Sequence, residues 1–180
     1  MVSAVTLFVA IVAATAVIWA AGEDLLFRRI SNRVVFIVLA AAFVNFFAGI
    51  KLDASLTGSD TQTGLITAGA VLLVGFVLYL RKTVGAGDVK LAFALSLLLG
   101  DLAPLFLFVA SLTGGLMVLG LPLLRMLETK LGVLAVEFAS WSGYSMARTP
   151  VGLMNDERRN GLPYGPALAV GTLFVLLGSL

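Results

Sequence analysis

Long apolar runs separated by short polar stretches dominate the chain. Crossing the hydrocarbon core of a bilayer takes about 20 apolar residues, with roughly 17 to 25 as the working range. On that ruler residues 2–21 form a first span, 34–50 a second, 64–80 a third, 88–99 a fourth, 103–124 a fifth and 166–180 a sixth. Trp19 closes the first run, at the level where indole rings prefer the membrane interface. The fourth run is short, so it either begins before the glycines that precede it or lies in a thinned region of bilayer. Gly100-Asp101 with Pro104 separates it from the fifth. Residues 125–165 are the longest polar connection, and inside them 131–147 is moderately apolar, with Leu131, Leu134, Phe138 and Trp141 near helical spacing. That stretch reads as an interfacial amphipathic helix, a re-entrant segment being the alternative. The pattern predicts an all-α polytopic membrane protein. It is a single membrane-embedded domain of about six transmembrane helices, with the amphipathic segment between the fifth and sixth.

Composition agrees. Of 180 residues 60% are apolar and 12% charged, and the mean hydropathy is +1.07, far outside the soluble range. The net charge of +2 does not point to nucleic acid, because the basic residues are scattered over short loops rather than gathered on one face. Arg28, Arg29, Arg33, Arg81, Lys82, Arg125, Lys130, Arg148, Arg158 and Arg159 all follow odd-numbered spans, whereas the opposite side carries only Lys51. The positive-inside rule then puts the odd-numbered loops, including 125–165, in the cytoplasm and both termini outside a cell inner membrane. No Lys or Arg precedes the first run, so it lacks the positive region of a signal peptide and reads as a retained span.

The chain has no cysteine and no histidine, which removes disulfides, thiolate metal sites and an imidazole base. Acid-base chemistry falls to carboxylates. Asp88 lies in Thr83-Val84-Gly85-Ala86-Gly87-Asp88-Val89-Lys90, between two apolar runs, where the two glycines permit a tight bend and a close neighbour. Asp24 leaves the first span as Asp88 enters the fourth, so both acids fall at the same membrane face. Ionisable groups at such a depth are paired, solvated or functional. Two aspartates sharing one proton can hydrolyse a peptide bond, one taking a proton from the attacking water while the other donates to the carbonyl oxygen. The competing reading is structural, with Asp24 and Asp88 at helix ends pairing with Arg28, Arg29 or Lys90.

The flanking residues bear on that choice. Asp24 followed by Arg28-Arg29-Ile30-Ser31-Asn32, then Gly85-Ala86-Gly87-Asp88-Val89-Lys90-Leu91, then Leu162-Pro163-Tyr164-Gly165-Pro166-Ala167-Leu168-Ala169, resembles the prepilin peptidase family of Gly-x-Gly-Asp aspartyl proteases. It is most similar to the short form serving Flp/Tad-type pili and to archaeal preflagellin peptidases. The resemblance covers nearly the whole chain and carries the catalytic pair over to Asp24, six residues before Ile30, and Asp88; Glu23 is one residue out of register. It implies cleavage of a type IV prepilin or pseudopilin precursor at the cytoplasmic face, before the hydrophobic stretch, as part of a pilus-assembly or secretion machinery. Ser31 stands where the family usually has Pro, a departure that bears on the turn. The cysteine-bearing domain associated with methylation in longer members has no counterpart here, so no N-methyltransferase activity is expected.

Several residues near these motifs invite a substrate role alongside a plainer one. Lys90 is placed to meet an acidic substrate residue or to solvate a helix end. Tyr164 shapes a substrate groove or sits as an interfacial aromatic. Gly165 and Pro166 form the entry to the last span, and Gly114-Gly115 allow close helix packing. Neither a cofactor nor a metal is expected, and the partners are the precursor and membrane lipid. Two other classes fit less well. A presenilin or signal-peptide-peptidase-like protease shares Pro166-Ala167-Leu168, but Asp24 follows Glu23 at a polar helix end rather than a Tyr inside a span. A small transporter or assembly subunit would place its acids near the midplane, with internal repeats.

Overall fold

The computed structural model describes residues 4–52, 61–143, 148–154 and 162–179, the side chains of 49–52 and of residue 61 excepted. The connection 53–60 between the second and third expected spans, and Arg158 and Arg159 in the long polar connection, lie outside the described residues. Every regular element among those described is helical: α1 (Ala4–Phe27), α2 (Asn32–Leu52), α3 (Thr61–Leu80), α4 (Ala86–Leu99), α5 (Ala103–Leu119), α6 (Leu121–Trp141) and α7 (Gly165–Ser179), with short 3-10 turns at Gly100–Leu102 and Val151–Leu153.

Among the described residues three stretches are long and apolar enough to cross a membrane, Ala4–Phe27, Gln62–Leu80 and Ala86–Leu119; Asn32–Ala48 and Gly165–Ser179 are shorter apolar helices. The third stretch is not one straight rod. Gly100 sits at φ 54°, in the left-handed region that glycine enters without a side-chain clash, and the chain reverses there. Gly75 of α3 faces Val89 of α4 and Gly64 faces Gly100, so α3 and α4 run antiparallel. Gly171 of α7 lies against Phe106 and Ala110 of α5, and Gly114 against Ala167, so α5 and α7 are antiparallel as well. At these contacts a missing Cβ lets helices approach closely, the usual device where lipid supplies no hydrophobic drive for helix association.

The bundle is held along two buried stripes. On α1 Ala13, Val17 and Ala20 are fully enclosed, at alternating spacings of four and three, and Asp24 continues the stripe by one more turn. On α4 Leu91, Leu95 and Leu98 do the same, and Asp88 precedes Leu91 by three positions. Both helices pack on α2. At the far end Asn45 Nδ2 donates to the carbonyl of Leu98 at 3.1 Å, a buried tie between α2 and α4. At the near end Gly87 lies against Ile30, so the turn joining α1 to α2 seats on the start of α4. The same inward-facing stripes that fix the bundle therefore deliver both acids to one end of it.

Three expected boundaries shift: the first run, expected over 2–21, stays helical to Phe27, so Asp24 lies within α1. The fifth run, taken as 103–124, ends at Leu119, because Gly120 and Pro122 interrupt an apolar stretch that hydropathy alone reads as continuous. The amphipathic segment is correspondingly longer than 131–147 at its start, since α6 begins at Leu121, and residues 144–147 lie outside the described set. Leu123, Leu127, Leu134, Phe138 and Trp141 form an apolar face of α6 turned away from the protein, Trp141 being 84% exposed.

Candidate active site

Ser31 shapes the turn that follows the helix carrying the first acid. Its hydroxyl accepts from the Arg33 N–H at 3.2 Å and its carbonyl accepts from Val34 at 3.1 Å, so it caps the start of α2. Glu23 secures the same turn, its carboxylate accepting from the Ser31 N–H at 3.0 Å and the Trp19 indole N–H at 2.9 Å. Glu23 is thus engaged in holding the turn while its neighbour Asp24 faces inward, 5% exposed. A carboxylate buried to that extent is costly without a donor. Asp24 Oδ2 accepts the Gly165 N–H at 2.7 Å, at the start of α7. A Cβ on Gly165 would stand 2.8 Å from the Asp24 Cβ and 3.2 Å from the Ala20 carbonyl oxygen, so only glycine lets the α7 amide come this near.

Asp88 is the third residue of α4 and half-buried. Its Oδ2 accepts the N–H of Gly85, the residue preceding the helix, at 3.2 Å. This is the reciprocal half of a capping box and ties up one carboxylate oxygen. Each acid therefore has one oxygen on a glycine amide, Asp24 on Gly165 and Asp88 on Gly85.

The two acids share an open cavity of about 880 Å³ at this end of the bundle, together with Glu23, Ile30, Asn32, Gly85, Gly87 and Lys90, and the guanidinium-bearing residues Arg28, Arg29 and Arg148. They lie within electrostatic reach of one another. Lys90 is exposed at the rim, its Nζ 3.5 Å from Asn32 Oδ1. Tyr164 is not part of this space. It lines a smaller depression of about 280 Å³ between α5 and α7, with Ala110, Gly114, Gly115 and Ala167. Among the described residues no group of three or more acidic side chains is placed to hold a metal ion.

One ion pair stands out among the described residues, and its acidic partner was not singled out in the sequence. Arg28 Nη2 donates to Glu128 Oε1 at 2.6 Å, with the Glu128 side chain fully enclosed. Glu128 sits on α6 among Arg125, Thr129 and Lys130, a context that looks like an ordinary solvated polar patch. It is enclosed where α6 packs on the Val151–Leu153 turn and on α1, Gly152 lying directly against the Glu128 backbone carbonyl, and so by tertiary packing with no local signature. Of the arginines that line the cavity, Arg29 and Arg148 are exposed.

With this geometry in view, comparison with known families is decisive on one point: the model of the type IV leader peptidase family matches residues 11–119. The chain belongs to that family. No curated protein and no solved structure matches the chain. The leader peptidase match includes Asp24, Gly85, Gly87 and Asp88, whereas Glu128 and the Gly165 amide come from the remaining third of the chain. A helical leader peptidase family member with carboxylates at one end of an apolar bundle is a membrane protein and a peptidase in its chemistry.

Proposed function

We propose that the protein is an aspartic endopeptidase that removes the leader of type IV prepilin-like precursors, of the Flp/Tad kind, with Asp24 and Asp88 as the catalytic pair. The observation that carries this reading is that these two acids, 64 positions apart in the sequence, line one water-accessible cavity. In the proposed reaction the pair holds one proton. The ionised carboxylate takes a proton from a water molecule as its oxygen attacks the scissile carbonyl carbon. The protonated partner gives its proton to the carbonyl oxygen, and the resulting gem-diol collapses as the leaving amine is protonated by the acid formed in the first step. The amides of Gly165 and Gly85 each fix one carboxylate oxygen, leaving Oδ1 of each acid for this exchange. Such pre-set orientation is a recognised source of rate.

The location suits the substrate. A precursor whose hydrophobic helix stays in the bilayer presents its leader at the membrane surface, and the basic residues on this side support a cytoplasmic cavity under the positive-inside rule. The outward apolar face of α6 fits the bilayer interface beside it. Lys90, at the cavity rim, is suited to an acidic residue of the mature precursor.

Co-expression with a tagged Flp-type prepilin tests the reading. The wild type yields the shortened product, and Asp24→Asn and Asp88→Asn each abolish it at normal membrane levels. Processing that persists in either variant removes that aspartate from the pair, and dependence on Glu23 instead would move the register by one residue.

A further inference from the structure

We infer that Glu128 is a positioning residue that draws Arg28 away from Asp24 and so keeps the Asp24 carboxylate available; this deepens the aspartic peptidase reading and rests on it. Arg28 follows Asp24 by four residues, the spacing at which an acid and a base on one helix pair most readily. Were α1 to continue by one residue in helical geometry, the guanidinium would lie over the carboxylate. Two features turn it elsewhere. The Arg28 backbone leaves the helix at φ 52°, a left-handed conformation uncommon for a residue with a side chain, while its N–H still donates to the Asp24 carbonyl at 2.9 Å. The guanidinium then meets Glu128 at 2.6 Å, and Asp24 instead takes the neutral amide of Gly165. Arg28 and Glu128 both remain within electrostatic reach of Asp24.

A non-glycine residue held at positive φ implies that its surroundings supply the compensation. The compensation here is a buried ion pair on α6, an element the leader peptidase match does not reach. The second oxygen of Glu128 is enclosed with no hydrogen-bond partner, which for an ion pair built only for stability is an expensive arrangement. A device that must hold a cation off a neighbouring acid accounts for that cost. A guanidinium moved onto Asp24 would occupy the oxygen that exchanges protons with water.

The test compares cleavage kinetics of purified full-length protein in detergent for wild type, Glu128→Gln, the double variant Arg28→Gln/Glu128→Gln, and Asp24→Asn. Glu128→Gln should lower kcat by roughly 10- to 100-fold with little change in KM, at or below the foot of the roughly 10²–10⁴-fold that a positioned acid-base group itself supplies. The double variant, which removes the released guanidinium, should cleave about tenfold faster than Glu128→Gln. If Glu128 only anchors α6, the double variant is as slow as the single one or slower, and the inference falls; it also falls if Glu128→Gln behaves as wild type. Should Glu128→Gln fail to accumulate in membranes, Glu128→Asp, alone and with Arg28→Gln, takes its place under the same criterion. Asp24→Asn separates the two levels of the argument. Cleavage that survives in it defeats the aspartic reading itself, whereas an inactive Asp24→Asn beside a wild-type Glu128→Gln defeats the positioning role alone.

Discussion

Gly165→Ala offers a direct measure of how closely the last helix must approach the first acid. The added Cβ would lie 2.8 Å from the Asp24 Cβ, 3.1 Å from its Oδ2 and 3.2 Å from the Ala20 carbonyl oxygen. Carbon atoms in contact settle at about 3.5–4.0 Å, so α7 must withdraw by roughly 0.7–1.2 Å. Ala20 is fully enclosed, and its carbonyl belongs to the backbone of α1, which leaves little room for α1 to yield instead. Withdrawal by that amount takes the Gly165 N–H from 2.7 Å to beyond hydrogen-bond range of Oδ2. A hydrogen bond to a charged group contributes about 1.5–3 kcal/mol, and overpacking costs about 1–3 kcal/mol of stability. If the carboxylate's orientation is what the amide secures, the first of these figures appears in the transition state, and kcat falls by about 10- to 150-fold. The assay is the initial rate of prepilin shortening at matched enzyme concentration in detergent, with thermal unfolding measured on the same preparations. Gly178→Ala, on the same helix with nothing within 4 Å of its added Cβ, serves as the control. A Gly165→Ala enzyme within twofold of wild type would show that Asp24 does not depend on the α7 amide, and the orientation argument would fail.

Two further outcomes follow from packing and chemistry. Gly64→Ala would set a Cβ 2.7 Å from the Gly100 Cα, backbone against backbone, and should lower stability by about 1–3 kcal/mol, read as a reduced Tm. Gly69→Ala, on the same helix with open space around it, should leave Tm unchanged or raise it, since alanine is favoured over glycine in a helix by about 1 kcal/mol. Because the proposed chemistry runs on two carboxylates, a chelator should leave the cleavage rate unaltered, and restoration of a lost rate by added zinc would contradict it.

Much of the bundle was legible because one physical rule, the length of apolar chain that crosses hydrocarbon, speaks directly through residue order. Counting runs put Asp24 at the end of one and Asp88 at the start of another, and therefore at one depth, before any contact was known. What escaped has a different character. Gly120 and Pro122 end α5 and start α6 inside a run that stays apolar from Leu119 to Leu124, apart from those two, so a hydropathy window passes over the break. Ser31, a departure from the usual proline, is a helix cap, a local signal that hydropathy does not carry. Glu128 had no local signal at all, because it is enclosed by the packing of α6 on α1 and on the Val151–Leu153 turn, where Gly152, 24 positions away, fits against its backbone only for want of a side chain.

These misses share a location, and it bears on how the site is built. The acids ride on helices whose buried stripes are written in apolar periodicity, so the elements that carry the chemistry are the predictable ones. The groups that set the acids' surroundings, the Gly165 amide and the Glu128 carboxylate, come from the part of the chain beyond α5 and act through backbone approach and a single buried pair. Their effect requires neither periodicity nor a motif, only a close contact. The same division predicts where substitutions act: changes at the apolar positions of the α1 and α4 stripes should unfold the bundle, whereas Gly165→Ala and Glu128→Gln should slow the reaction by more than their loss of stability accounts for. A leader peptidase family member in which Gly165→Ala and Glu128→Gln lost stability in proportion to activity would show that no such division exists, and that the end of the chain is scaffold like the rest.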